Sequence, residues 1–226
     1  MQKAHKALLK GIKDELPILV GVIPFGMIYG ILALSAGLSK VEAQAMSVII
    51  FAGSAQFMLV QLVGVGTPAL VIIITSFIIN LRHALYSASV SPHLKKLSAT
   101  WKIGLAYLLT DEAYAVAITH YKKEEEKNYT HWYFLGAGLA LWSSWQISTA
   151  IGVFLGAQIP PSWSLDFTLA LTFIALVVPT LKDRPSILTA LSAGITALLT
   201  ADLPYKLNLI VAAIVGIAVG VWSESK

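Results

Sequence analysis

Long apolar segments separated by short polar joints make up most of this chain. The segment LVIIITSFIINL is typical of them, because it is apolar almost throughout rather than at alternate positions. Strands of a membrane barrel alternate apolar and polar residues, so continuous apolarity favours helices. At about 20 residues per span, the pattern predicts helices near residues 16–36, 43–62, 68–90, 102–121, 132–157, 164–181, 186–200 and 206–222.

These segments predict an all-α fold, a polytopic transmembrane helix bundle with seven or eight membrane segments. Segment 186–200 is short for a full crossing, which leaves open a tilted helix, a re-entrant segment or a half-helix. Residues 1–15 form a short basic terminus, and the apolar run after it is too long for a signal peptide, so we expect a first membrane helix there. The one long polar loop is 122–131, and we expect residues 1–226 to form a single membrane domain.

Composition strengthens this assignment. The 226 residues are 57% hydrophobic and 12% charged, whereas a soluble domain carries roughly 25% charged residues. The chain contains no cysteine, so disulfide and thiol chemistry are excluded. Its formal net charge is +4, but the basic residues are scattered at segment ends rather than grouped on one face, which does not favour a nucleic-acid partner.

The distribution of basic residues predicts a cytoplasmic N-terminus. With eight crossings, ten Lys and Arg residues lie on the cytoplasmic side and five outside, as the positive-inside rule requires. The basic cluster at 93–102 falls on the opposite side and leaves the orientation open.

The motif FAGSAQF, residues 51–57, predicts a broken helix within the second segment. Small residues such as Gly53 and Ser54 make a helix easy to unwind, and broken helices form the substrate sites of many secondary transporters. The alternative is an intact helix in which small residues aid packing and Gln56 makes an interhelical hydrogen bond.

The motif IINLRHALY places a guanidinium inside the third segment. If this helix begins after Pro68, Arg82 lies about 21 Å along it, deep in a hydrocarbon core about 30 Å thick. The alternative is a helix that ends at Leu81, with Arg82 and His83 as a basic flank. Helical spacing predicts two adjacent polar faces directed toward the bundle interior. One face contains Asn80, His83 and Ser87, and the other contains Arg82, Tyr86 and Ser89.

The fourth segment contains Asp111 and Glu112 near its centre. Each charge there costs roughly 2.5–3.5 kcal/mol on insertion scales, so partners or water must be present. Adjacent residues point about 100° apart around a helix. We therefore expect one acid to pair with Arg82 and the other to face an aqueous cavity, where it can carry a proton; a purely structural ion pair is the alternative.

Three helices contain GxxxG motifs, which allow close packing within the bundle or against a partner. They begin at Gly26, Gly152 and Gly216.

These features favour a secondary transporter over an enzyme. No GxxxxGK[ST] motif is present to bind a nucleotide, so an ion gradient would have to supply the energy. The five histidines lack metal-ligand spacing, and we predict neither a metal site nor a cofactor. The alternatives are an intramembrane protease or lipid-modifying enzyme, with Ser54 as nucleophile and His83 as base, and a channel for a small solute.

Four motifs in the first half of the chain resemble the AzlC family. They are PFGMIYG at 24–30, FAGSAQF at 51–57, NLRHALY at 80–86 and TDEAYA at 110–115. The resemblance implies the large subunit of a bacterial inner-membrane exporter of valine, leucine and isoleucine, with methionine as a further candidate substrate, driven by the proton gradient. It also implies a small membrane partner of the AzlD type, for which the GxxxG faces are candidate docking surfaces.

An amino acid zwitterion requires donors for its carboxylate, acceptors for its ammonium group and an apolar recess for its side chain. We expect Arg82 and Asn80 to bind the carboxylate. Asp111 or Glu112, with carbonyls freed around residues 53–56, would bind the ammonium group. The predicted substrate-binding residues are Gly53, Ser54, Gln56, Asn80, Arg82, His83 and Tyr86, and the predicted coupling or charge-pairing residues are Asp111 and Glu112.

Overall fold

The regular structure is helical throughout the part of the chain that the computed structural model describes, residues 2–123, 129–157, 178, 181–204 and 207–224. The helices are α1 (Gln2–Ser35), α2 (Lys40–Ile50), α3 (Gly53–Gly64), α4 (Ala69–Asn80), α5 (Arg82–Leu94), α6 (Ala99–Tyr107), α7 (Asp111–Lys123), α8 (Thr130–Gly156), α9 (Arg184–Leu199) and α10 (Leu207–Glu224). The predicted all-α membrane bundle is confirmed.

Among the described residues, four helical segments are long and apolar enough to cross a membrane: α1, the continuous stretch Ala69–Leu94 formed by α4 and α5, α8 and α10. The second and fourth predicted segments are each divided into two short helices, α2 with α3 and α6 with α7. Helix α9 has 16 residues, about 24 Å at 1.5 Å per residue, and is therefore short for a crossing, as predicted. The predicted helix at 164–181 lies almost entirely outside the described residues.

Helix α1 begins at Gln2 rather than near residue 16. The basic residues of 1–15 therefore belong to the first turns of a 34-residue helix instead of a segment that precedes it. Pro17 and Pro24 lie inside this helix, where neighbouring helices can satisfy the backbone groups that proline frees. Of the predicted loop 122–131, the two ends belong to α7 and α8, and residues 124–128 are outside the described part.

Side chains cap the starts of α2 and α9. Ser39 accepts a hydrogen bond from the Glu42 N–H while Glu42 accepts one from the Ser39 N–H, which is a capping box at the start of α2. At the start of α9, the Asp183 carboxylate accepts a bond of 2.8 Å from the Ser186 N–H. Hydrogen bonding to Ser186, first to its side chain and then to its N–H, holds the pKa of Asp183 below its usual range.

The described residues form two compact units. The first comprises those of Met1–Gly64 and Ser76–Ile159, and the second comprises those of Val65–Thr75 and Pro160–Lys226. The centre of the first unit is the contact between α1 and α8, which run parallel. Gly11 packs on Tyr133 near one end of the contact, and Ile31 packs on Gly156 near the other.

Glycines bring the backbones of α1 and α8 together. A Cβ on Gly30 would lie 2.5 Å from the Thr149 carbonyl oxygen and 2.6 Å from the Val153 nitrogen. Gly152 packs in the same way on the Met27 carbonyl. Two GxxxG motifs, one from each helix, therefore form a single intramolecular contact.

The third GxxxG motif has the same role in the second unit. Gly216 packs on Thr189 and Ala193 of α9, and a Cβ on Gly220 would lie 2.6 Å from the Thr189 hydroxyl oxygen. The expectation that these glycine faces are docking surfaces for a partner is therefore wrong, because helices of the same chain occupy them.

We expect Gly30→Ala to destabilise the protein, because the added methyl group meets backbone atoms that cannot move aside. Overpacking of this kind costs about 1–3 kcal/mol. Gly21→Ala is the matched control in the same helix, since nothing lies within 4 Å of its Cβ position and alanine has the higher helix propensity. The measurement is the midpoint of thermal unfolding in detergent, followed by tryptophan fluorescence. Equal midpoints for the two variants would contradict the close α1–α8 contact.

Candidate functional site

The second apolar segment is broken at Phe51 and Ala52. Phe51 has φ 35° and ψ 52°, the left-handed conformation, which costs a non-glycine residue roughly 1–3 kcal/mol. Helix α3 then begins at Gly53. The broken helix predicted from FAGSAQF is confirmed.

The backbone groups that residues 53–56 leave without partners differ from the predicted ones. Gly53, Ser54 and Gln56 form the first turn of α3, and the start of a helix leaves N–H groups rather than carbonyls without intrahelical partners. The expectation of carbonyls freed around residues 53–56 is therefore wrong. The first turn of α3 instead carries the positive end of the helix dipole, which favours anions.

The third segment is interrupted at Leu81. The Leu81 N–H donates to the Ile78 carbonyl at 3.3 Å and the Ala84 N–H donates to the Leu81 carbonyl at 3.0 Å, so the helix tightens locally to a 3₁₀ pattern. Arg82 is the first residue of α5 and lies near the middle of the apolar stretch Ala69–Leu94. The helical stretch continues beyond Arg82 to Leu94, so Arg82 is not the last residue of this apolar segment.

The fourth segment is broken at residues 108–110, immediately before the two acids. Thr110 caps α7, since its hydroxyl accepts from the Ala113 N–H at 3.4 Å and its carbonyl accepts from the Tyr114 N–H at 2.9 Å. Asp111 and Glu112 form the first turn, where carboxylates are stabilised by the dipole. This break was not predicted, although a threonine followed by two acids is a typical helix start.

Side chains from these three helix starts meet at Arg82. One terminal nitrogen of Arg82, Nη1, forms an ion pair with Asp111 Oδ2, and the other, Nη2, donates to the Ser54 hydroxyl at 2.7 Å. The Arg82 and Asp111 side chains are 29% and 40% exposed, respectively. The predicted pairing of Arg82 with one acid of the fourth segment is confirmed. We call Ser54, Arg82 and Asp111, together with Asn80, the Arg82 cluster.

The Arg82 cluster retains unused hydrogen-bonding atoms. Among the described residues, Arg82 Nε, Asp111 Oδ1 and Asn80 Oδ1 are buried and have no hydrogen-bond partner. An unsatisfied buried group costs about 1–3 kcal/mol. Arg82 Nε and Asp111 Oδ1 thus remain a free donor and a free acceptor at the ion pair, and Asn80 Oδ1, two residues before Arg82, is a second free acceptor.

The remaining predicted residues of α5 pack within the first unit. The Tyr86 ring stacks on Tyr114 of α7 with centroids 4.6 Å apart, and the Tyr114 hydroxyl donates to Ser89 at 2.9 Å. Arg82, Tyr86 and Ser89 all contact α7, so the predicted polar face is directed toward the interior. This packing sets the rotation of α5 that directs Arg82 toward Asp111.

His83 is turned toward the local backbone. Its Nδ1 lies 3.2 Å from the Asn80 carbonyl oxygen, and its ring meets that of Tyr86 edge-on. Ser54 accepts a hydrogen bond from Arg82. The two side chains considered as a nucleophile and its base are therefore engaged with other partners.

Gln56 packs in the interior between α3 and α8, next to the Arg82 cluster. It is fully buried, and its Oε1 accepts a bond of 3.0 Å from the Trp145 indole of α8. Trp145 also stacks on Tyr29 of α1, with centroids 6.2 Å apart. These contacts fix the first turn of α3 against α1 and α8, which is the interhelical role considered as an alternative for Gln56.

A second group of polar side chains joins α2 to α8, and it was not predicted. Gln44 donates to the Gln146 side chain at 2.8 Å, Gln146 donates to the Ser47 carbonyl at 3.2 Å, and the Ser47 and Thr149 hydroxyls lie 3.2 Å apart. The polar residues within WSSWQIST were the available signal. These bonds hold α2 in place up to its break at Phe51.

Glu15 of α1 is also absent from the predicted site, yet it lies beside it. Its side chain is 0% exposed, and neither carboxylate oxygen has a hydrogen-bond partner among the described residues. It is close enough to Glu112 for the two charges to interact. Helical spacing places Glu15 on the same face as Gly11 and Gly26, which could have identified it as an interior residue.

A cavity of about 510 Å³ lies near the turn between α5 and α6. Its lining includes Ser87, Lys95, Lys102 and Phe134 but no member of the Arg82 cluster. It is therefore not the predicted apolar recess of the substrate site.

Comparisons with known proteins give the chain its relatives. The sequence profile of the AzlC protein family matches residues 17–159. An uncharacterized membrane protein of Archaeoglobus fulgidus is 33% identical over 84% of this chain and 82% of its own length. The inner membrane protein YgaZ of Escherichia coli is 28% identical over 84% of this chain and 80% of its own.

A third relative has a functional name. The branched-chain amino acid transport protein AzlC of Bacillus subtilis is 28% identical over 81% of this chain and 73% of its own length. No solved structure matches the chain. The family match extends from α1 through α8 and includes every member of the Arg82 cluster, and this chain therefore belongs to the AzlC family of membrane proteins.

Proposed function

We propose that this chain is a secondary transporter that exports branched-chain amino acids, valine, leucine and isoleucine, across the inner membrane of a bacterial cell. The observation that carries the proposal is the Arg82 cluster, an ion pair with unused donor and acceptor atoms at the meeting point of three helix starts. The name of the Bacillus subtilis relative supports the substrate class.

The substrate carboxylate binds at Arg82. The free Nε of Arg82 is a charged donor, and charge-assisted bonds to carboxylates are about twice as strong as neutral ones. The first turns of α3 and α5 add positive dipole ends. Half-helix starts that point at a substrate carboxylate are a recurring device of secondary transporters.

The substrate ammonium group binds the acceptors of the cluster. Asp111 Oδ1 and Asn80 Oδ1 both lack partners, and an ammonium group has three donors to offer. Because Asp111 also pairs with Arg82, the two ends of the zwitterion bind on either side of one ion pair. This assignment reverses part of the expected role of Asn80, which binds the ammonium group here instead of the carboxylate.

Export is coupled to the proton gradient through Glu112. Asp111 is paired with Arg82, whereas Glu112 lies next to it in the first turn of α7 without a place in that pair. A proton that arrives at Glu112 changes the charge beside the ammonium site and weakens the hold on the substrate, so proton entry accompanies amino acid release outside.

A small membrane subunit of the AzlD type completes the transporter. Because the GxxxG faces are occupied within the two units, this partner binds to other surfaces.

We expect Arg82→Lys to lower valine export severely while the protein still inserts. Lysine keeps the charge but loses the planar fork that serves Asp111, Ser54 and the substrate together. Loss of one charged hydrogen bond costs about 1.5–3 kcal/mol, or roughly 10- to 100-fold in substrate affinity. The measurement is valine efflux from cells loaded with a valine-containing dipeptide, with and without the partner subunit.

The control for this variant is Arg184→Lys, which changes an exposed arginine at the start of α9. It is expected to export valine like the parent. Normal export by Arg82→Ala at equal expression would remove Arg82 from the mechanism.

We expect Asp111→Asn and Glu112→Gln to have different effects. Asp111→Asn leaves Arg82 without its counter-charge and lowers export at every pH, since an uncompensated buried charge is strongly destabilising. Glu112→Gln retains export but loses its dependence on external pH. The assay is the same efflux measured over a series of external pH values. If both variants keep the parent pH profile, the proton carrier is another residue.

A further inference from the structure

We infer that Glu15 is a proton-binding site between the Arg82 cluster and the surface of the protein, and that it shares a transported proton with Glu112. This inference rests on the proposed proton-coupled export and adds a residue that neither the motifs nor the relatives' names indicate.

The surroundings of Glu15 accept the neutral acid better than the anion. The side chain is fully buried, and both of its oxygens lack partners among the described residues. Burial of an unpaired carboxylate costs far more than burial of the protonated group. An acid of this kind is a place where a proton can reside.

The groups that face Glu15 come from each helix packed around it. From α7, Glu112 interacts with its charge. From α8, Tyr133 is close enough to sense it, and from α1 itself Asp14 is the adjacent residue. Two carboxyl groups in one buried site resist being ionised together, so the Glu15 and Glu112 pair holds one proton more readily than none.

Tyr133 lies near this pair without a hydrogen bond to Glu15, and it leads to solvent. The Tyr133 hydroxyl donates to Asp14 Oδ2 at 2.7 Å, and Asp14 is exposed. A hydroxyl group both accepts and donates, so it can pass a proton along. His120 stacks on the Tyr133 ring with centroids 3.6 Å apart, which holds the hydroxyl group in position.

The proton balance is simple. One proton enters from the outside through the Arg82 cluster to Glu112, moves to Glu15, and leaves through Tyr133 and Asp14 to water at the N-terminal end of α1. The pair then returns to its starting protonation state. With the N-terminus in the cytoplasm, the proton moves inward while the amino acid moves outward.

The test uses the purified protein together with its small partner subunit in proteoliposomes that contain a pH-sensitive dye, with two readouts. The first is exchange of labelled valine at equal pH on both sides, and the second is proton movement that valine drives. Glu15→Gln imitates the protonated acid, and it is expected to retain valine exchange and to lose valine-driven proton movement. Tyr133→Phe keeps the ring but not the hydroxyl, and it is expected to slow proton movement while exchange continues.

The matched control is Glu42→Gln, an exposed acid at the start of α2 whose capping role glutamine also fills. It should behave like the parent in both readouts. If the parent itself shows no valine exchange, the proposed function fails, and the proton site is then judged by infrared titration alone. A carboxylic acid C=O band that is present in the parent and absent from Glu15→Gln supports the inference.

The Glu15→Gln variant could lose both valine exchange and proton movement. In that case the infrared carboxylic acid band is the deciding measurement. Its presence in the parent and absence from the variant supports a proton on Glu15, whereas its absence from the parent overturns the inference. Valine-driven proton movement in Glu15→Gln with the parent's pH profile overturns it as well.

Discussion

A charge inside an apolar helix must be compensated, and the Arg82 to Asp111 ion pair is how this protein meets that constraint. The pair joins the first residue of α5 to the first residue of α7, so both charges lie at helix starts in the middle of their segments. The interruption at Leu81 and the break at residues 108–110 provide these starts. Ser54 adds a third start from α3 through its bond to Arg82.

Because α3, α5 and α7 all begin at the Arg82 cluster, their first turns determine the electrostatics of the site. Each start exposes N–H groups and the positive end of a dipole, so their convergence would repel cations and attract anions unless an acid were present. Asp111 supplies that acid and is itself a favourable first-turn residue of α7. The result is a site that is electrically balanced when empty and still retains a donor and two acceptors. A zwitterion fits these requirements better than an ion of either sign.

The parallel contact of α1 with α8 holds α3, and with it Ser54 of the cluster, in position. Because glycines bring the two backbones together, Trp145 of α8 reaches both Tyr29 of α1 and Gln56 of α3. The same contact encloses Glu15, which would face lipid or water if α8 lay farther away. Close backbone packing thus fixes the position of the broken α3 and also creates the buried acid beside Glu112.

The sequence alone determined the membrane class, the positions of most apolar segments, and Arg82 with two candidate acids for its ion pair. These properties depend on composition and on charges that no apolar environment tolerates unpaired, and both can be read along one chain. It also indicated the break near Gly53, since small residues weaken a helix locally. Only the tertiary structure decided that Asp111 rather than Glu112 pairs with Arg82, that the GxxxG faces of α1 and α8 pack on each other, and that Glu15 is buried. Those outcomes depend on which helix faces meet. The sequence of one helix gives the size and polarity of the residues on its face, but it does not specify which other helix packs there.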